Sequence, residues 1–159
     1  MIEDQLAIER LIALYAQLVD SGDFDGLAEL LADAAIGTEG TRGALAGREA
    51  IAKMFASTVR LYEDGTPRTR HVTTNVIVDL DADGVTASAR SYFTVMQATE
   101  GFALAPVVVG TYKDRFAILD GNWRFVERRF SVDLVGDVSR HMLPGAERLL
   151  DDPPRTAGG

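Results

Sequence analysis

The chain reads as an α+β domain: N-terminal helices, then a long antiparallel sheet that curls over them into a cone-shaped barrel enclosing one pocket. Three observations predict it. Apolar residues recur at helical spacing only in the first 61 or so positions. From Glu63 onward the pattern changes to extended runs rich in β-branched residues. Those runs are paired around two turn signals, Asp81-Ala82-Asp83-Gly84 and Asp120-Gly121-Asn122, each of which marks a hairpin. Helices first and hairpins afterwards exclude a doubly wound parallel fold.

The elements follow in order. Residues 2 to about 20 carry Leu6, Leu11, Ile12, Leu14, Tyr15, Leu18 and Val19 at helical spacing. Ser21-Gly22-Asp23 stops that helix, and Asp23 suits the cap of the next. A short second helix runs through Leu27, Leu30 and Leu31 and ends near Ala34-Ala35. Gly37, Gly40 and Gly43 mark an irregular connection. Gly47-Arg48-Glu49 opens a third helix, with Ile51, Met54, Phe55, Thr58 and Leu61 on one stripe. Strands are predicted at 71–80, 85–98, 107–119 and 122–134, with Thr99 to Pro106 as a longer connection overhanging the sheet. Residues 1–141 form the domain, and residues 142–159, rich in Pro and Gly, read as a flexible tail.

Composition narrows the function. Of 159 residues, 47% are hydrophobic and 25% charged, as in an ordinary globular domain. There is no apolar run of membrane-spanning length and no leader-like segment, so no membrane role and a cytoplasmic location are expected. The net charge of −8 lacks the basic footprint that nucleic acids require, so no nucleic-acid partner is expected. With no cysteine, disulfides, thiolate nucleophiles and cysteine-ligated metals are excluded. Only two histidines occur, far apart and without a local carboxylate cluster, so no metal site is expected.

One of them, His71, lies in the strand Arg70-His71-Val72-Thr73-Thr74-Asn75-Val76-Ile77-Val78, a stretch otherwise mostly apolar or hydroxylic. A neutral imidazole accepts a proton near neutral pH. The bland alternative is a structural histidine bonded to a backbone carbonyl. Asn75 shares the strand parity of His71 and is expected to face the same side. Tyr92, Gln97, Tyr112 and Asp114 are candidate lining residues on other strands. Arg128 and Arg129 point to opposite faces, so at most one enters the pocket.

The run Tyr15 to Asp25, followed by Leu30-Leu31-Ala32-Asp33-Ala34, resembles the opening of SnoaL-like proteins of the nuclear-transport-factor-2-like superfamily. Gly47 to Ile51, Arg70 to Asn75, and Asp120 to Phe125 continue the resemblance in order over roughly residues 5–140. Within that superfamily the scytalone dehydratases, bile-acid 7α-dehydratases and hexachlorocyclohexane dehydrochlorinases pair a first-helix aspartate with a strand histidine. Asp20 and His71 fall on those positions. Tyr15 matches the tyrosine of the bile-acid enzymes, and Arg128 a late-strand arginine of the dehydrochlorinases. Where scytalone dehydratases have a second histidine, this chain has Val107, Val109 and Gly110; the lysine of the dehydrochlorinases is replaced by Tyr15.

The resemblance implies a cofactor-independent lyase of dehydratase type acting on a hydroxylated alicyclic, polyketide-like or steroid-like substrate. Its catalytic residues would be His71, Asp20 and Tyr15, with Asn75, Tyr92, Tyr112, Arg128, Glu39 and Asp114 around the substrate. It also implies a homodimer or homotrimer, through the convex sheet face. An isomerase or cyclase is the second expectation. Laid on the ketosteroid isomerases, the base falls at Glu39, the oxyanion tyrosine at Tyr15 and a protonated acid at Asp114. A non-catalytic subunit, like the β-subunits of ring-hydroxylating dioxygenases, is the third.

Overall fold

A computed structural model describes residues 1–150. The first helix, α1 (Ile2–Ser21), buries Ile8, Ile12, Tyr15, Ala16, Val19 and Asp20 along one face. Leu6, placed on the stripe by spacing, is exposed. Gly22 ends α1 in the left-handed region at φ 73°, and a Cβ added there would come within 2.1 Å of the Gly65 carbonyl oxygen. Only glycine fits that close approach. Asp23 caps α2 (Phe24–Leu30) by accepting the Gly26 N–H. This helix stops at Leu30, earlier than expected, because Ala35 already opens the strand β1 (Ala35–Thr38). A two-residue strand, β2 (Leu45–Ala46), leads into α3 (Arg48–Thr58).

The hairpins form as the turn residues demand. Strands β3 (Thr69–Leu80) and β4 (Thr86–Thr99) pair around the Asp81–Gly84 turn, whose Asp83 accepts the N–H groups of Val85 and Thr86. Strands β5 (Phe102–Leu119) and β6 (Asn122–Val135) pair around Asp120-Gly121. The connection expected from Thr99 to Pro106 is instead a tight turn, since Thr99 already faces Phe102. Pro106 sits beside a register irregularity, where a strand tolerates a residue without an N–H. The sheet order is β2-β1-β6-β5-β4-β3. It is mixed, because β1 runs parallel to β6, and it is open between the edges β2 and β3 rather than closed into a barrel.

Burial alternates along β4, where Ala87, Ala89, Ser91, Phe93, Val95 and Gln97 face inward. Across from Phe93, Gly110 leaves the space its ring occupies; a Cβ there would lie 2.5 Å from that ring and 2.1 Å from the Ser131 carbonyl oxygen. The chain does not end its structure at residue 141. Met142 bridges to Val59, a 3-10 helix spans Ala146–Leu150, and Leu150 packs on the core. The remainder of the expected tail, from Asp151, lies outside the described residues. No described helix is long and apolar enough to cross a membrane.

Candidate active site

Asp20 occupies the last turn of α1, where the helix dipole disfavours a carboxylate by roughly 0.3–1 kcal/mol. Its neighbours more than offset that. Asp20 Oδ1 accepts from Thr69 Oγ1 at 2.8 Å and lies 2.6 Å from His71 Nδ1, while Oδ2 accepts the His71 backbone N–H at 2.8 Å. One carboxylate thus fixes both the backbone and the ring of His71. Burial acts to raise the Asp20 pKa, but the His71 and Thr69 hydrogen bonds prevail and hold it below the ordinary carboxylate value. Asp20 is therefore ionised at neutral pH and accepts. That makes Nδ1 the donor to Asp20, so in the neutral tautomer of His71 the lone pair is on Nε2.

His71 borders a partly open, mostly apolar cavity of about 150 Å³, whose wall includes Tyr15, Phe93 and Tyr112. A broader groove of about 760 Å³ is lined by Asp20, Thr69 and Arg70 but does not include His71. The imidazole therefore faces the smaller, apolar cavity and not the groove. Among the described residues no cluster of three or more His, Cys, Asp or Glu is arranged to hold a metal ion.

Tyr15 and Tyr112 are both buried, with ring centroids 5.7 Å apart and edge-on geometry. Burial raises both phenols above the ordinary tyrosine value, although the nearby Arg128 charge opposes it. Both phenols are thus protonated at neutral pH. Tyr112 also stacks on Phe93 at 4.3 Å.

Arg128 stands behind this wall rather than in it. Its Nε and Nη2 donate to Asp114 Oδ1 and Oδ2 at 2.8 and 2.7 Å. Its Cζ lies 4.0 Å from the Tyr15 ring centroid and 3.9 Å from that of Tyr112. Burial alone would lower the arginine pKa, yet Asp114 raises it beyond the ordinary value. Arg129, on the opposite face, reaches the carbonyls of Thr41 and Gly43.

Several expected site residues lie elsewhere. Asn75 is exposed at φ 54°, because a bulge between Thr74 and Ile77 breaks the parity it was expected to share with His71. Tyr92 points outward, 55% exposed, since the inward parity of β4 belongs to Ser91 and Phe93. Glu39 pairs with Lys113 at 2.9 Å near the surface, so it is not aimed at the cavity. Asp114 is committed to Arg128 and is not a free acid. The isomerase assignment thus loses both its base and its second acid. Gln97, 1% exposed, is clamped to backbone: its Nε2 donates to the carbonyls of Pro67 and Arg140.

One cavity residue had no role in the sequence reading. His141, which marked the expected end of the domain, lies on the segment after β6 that doubles back to the end of α3 and lines the cavity. Its ring centroid is 6.5 Å from that of His71. Burial, then the neighbouring His71, lowers its pKa to about 4. No sequence periodicity points to it, because its position depends on how the chain returns after the last strand.

A helix-backed open cone, with a carboxylate-held histidine beside an apolar cavity, defines a protein of the NTF2-like class. Within that class the chain belongs to the SnoaL-like family: the model of the SnoaL-like domain matches residues 1–129. No curated protein matches the chain. Among solved structures it is similar to an NTF2-like protein with a cystatin-like fold from Novosphingobium aromaticivorans, at 27% identity over 94% of this chain and 90% of that one, TM-score 0.67. It is also similar to Rv3472 of Mycobacterium tuberculosis, a protein of unknown function, at 29% identity over 85% and 79% of the two chains, TM-score 0.68. A N. aromaticivorans protein with the provisional name scytalone dehydratase shares the fold at 23% identity over 86% and 91%, TM-score 0.65.

Proposed function

We propose that the protein is a cofactor-independent lyase of dehydratase type, with Asp20 and His71 as its general-base pair. The observation that carries this reading is the 2.6 Å contact between Asp20 Oδ1 and His71 Nδ1 at the wall of the apolar cavity. Asp20 holds the tautomer and stabilises the imidazolium that forms when Nε2 takes a proton. The natural target is a carbon-bound proton acidified by an adjacent carbonyl. Loss of a β-hydroxyl then yields the conjugated enone and water. The proton for the departing oxygen returns from His71, or comes from the protonated phenol of Tyr15. Tyr112 shapes the wall and contributes a second phenol.

The cavity favours a small substrate. At about 150 Å³ it matches spaces known to hold a benzene-sized ring, and is smaller than the roughly 300–1,000 Å³ of drug-sized pockets. A single alicyclic ring fits this reading better than a polycyclic skeleton. The test is a panel of β-hydroxy cyclic ketones, with water loss followed by enone absorbance. His71→Ala should lower turnover by about 10²–10⁴-fold, the contribution usual for general acid–base help. Equal turnover by wild type and His71→Ala contradicts the proposal.

A further inference from the structure

We propose that His141 is the second substrate-binding group of this site: its imidazole donates a hydrogen bond to the substrate carbonyl oxygen and stabilises the enolate formed when His71 removes the neighbouring proton. The inference rests on His71 as the base and supplies what that reading lacks, a donor at the developing negative charge.

Four observations converge on it. The rings of His71 and His141 both line the cavity, 6.5 Å apart between centroids and inclined at 65°. They come from unrelated elements, so their meeting is a property of the folded cavity alone. His141 is 8% exposed, and its Nδ1 is buried without a hydrogen-bond partner among the described residues. Burying a polar group unpaired is costly, and with Nδ1 carrying the ring proton a ligand oxygen would remove that cost.

The backbone that carries the ring is also held in place. The His141 N–H donates to the Val138 carbonyl, and its own carbonyl accepts the Arg60 N–H. The adjacent Arg140 carbonyl accepts from Gln97 Nε2 and from the Tyr62 hydroxyl. Gln97 also bonds the Pro67 carbonyl, just before the strand that carries His71. One buried amide therefore ties together the two segments that bear the histidines. Finally, the ring is uncharged at neutral pH, with its pKa lowered to about 4. A neutral imidazole offers one N–H to an oxyanion without burying a cation, a role known for a lowered-pKa histidine elsewhere.

The chemistry balances without a co-reactant. The C–H bond next to the carbonyl breaks, its proton goes to His71 Nε2, and its electron pair becomes the enolate double bond. The carbonyl π pair moves to the oxygen facing His141. Collapse of the enolate expels the β-hydroxyl, which takes the proton back from His71 Nε2 and leaves as water, restoring the neutral imidazole.

The test uses the full chain and 4-nitrophenol, a single ring whose oxyanion stands where the enolate oxygen would lie; its visible absorbance reports the bound phenolate. His141→Leu should weaken phenolate binding by about ten- to a hundredfold, as expected for one hydrogen bond to a charged group. His141→Gln, which keeps an N–H donor, should recover most of that loss, and both variants are checked by thermal melting. In ¹⁵N-histidine spectra, the phenolate should shift the His141 ring signals. Failure of the wild type to bind, or equal binding by His141→Leu, overturns the proposal. The two readings separate on turnover. Full activity in His71→Ala removes the base, and the enolate role of His141 with it. Loss of activity in His71→Ala, with turnover and phenolate affinity unchanged in His141→Leu, removes His141 alone.

Discussion

Replacing Asp114 by Asn changes almost no volume and removes one charge, and the surroundings make that change severe. Asp114 and Arg128 are 2% and 1% exposed and joined by two hydrogen bonds, so the substitution leaves a guanidinium buried without its counter-ion. Removing one partner of a buried pair costs about 3–5 kcal/mol. The faces of Tyr15 and Tyr112, 4.0 and 3.9 Å from Arg128 Cζ, continue to attract the cation and favour the lower end of that range. For a domain of this size about 2–4 °C of melting temperature is lost per kcal/mol, so Tm should fall by about 6–20 °C. The assay is thermal unfolding by circular dichroism, with urea midpoints at constant m-value as the check. The double variant Asp114→Leu with Arg128→Met, which removes both charges, should recover much of the loss. A melting temperature within about 2 °C of wild type in Asp114→Asn would refute the reasoning, because one kcal/mol already moves it that far. Cavity function should suffer too, since the guanidinium packs against the two tyrosines that line the cavity.

Other expected outcomes follow from single features. Gly110→Ala places a Cβ 2.1 Å from a backbone oxygen that cannot swing away, so it should destabilise by about 3 kcal/mol or more, measured by urea denaturation. His141 is buried neutral with its pKa lowered to about 4, whereas in the unfolded chain it takes a proton near 6.5; the unfolded state thus binds more protons between those values. Stability should therefore fall by about 3 kcal/mol as pH drops from about 6.5 to about 4, and His141→Leu should flatten that slope. Asp20, whose pKa is held below the ordinary carboxylate value, loses its contribution at still lower pH, as acid titrates it in the folded state. Glu39→Gln and Tyr92→Ser should leave turnover unchanged, because neither side chain reaches the cavity; a large loss in Glu39→Gln would revive the isomerase assignment.

The sequence disclosed what depends on local chemistry. Helical spacing, the change to β-branched runs and two turn motifs gave the element order, and the match of Asp20 and His71 anticipated a contact across 51 positions. Parity arguments held only where strands are regular: they separated Arg128 from Arg129, but failed at Asn75, where a bulge reverses the side. The Asp114–Arg128 pair is a cross-strand neighbour in the hairpin around Asp120-Gly121. Counting back from that turn could have found it, except that a bulge at Arg115/Phe116 adds a residue to the register. His141 was not legible at all. Its place in the cavity is set by backbone bonds between the segment after β6 and the end of α3, and no local pattern encodes those.

The central claim is that His71, oriented by Asp20, removes a proton from carbon inside this cavity. Exchange of the α-protons of cyclohexanone for deuterium in D₂O, followed by NMR, tests that step directly and needs no knowledge of the natural substrate. The wild-type protein should accelerate exchange over buffer, and His71→Ala and Asp20→Asn should each lose about 10²–10⁴-fold of that acceleration. Exchange no faster than in buffer, or undiminished in His71→Ala, would contradict the account.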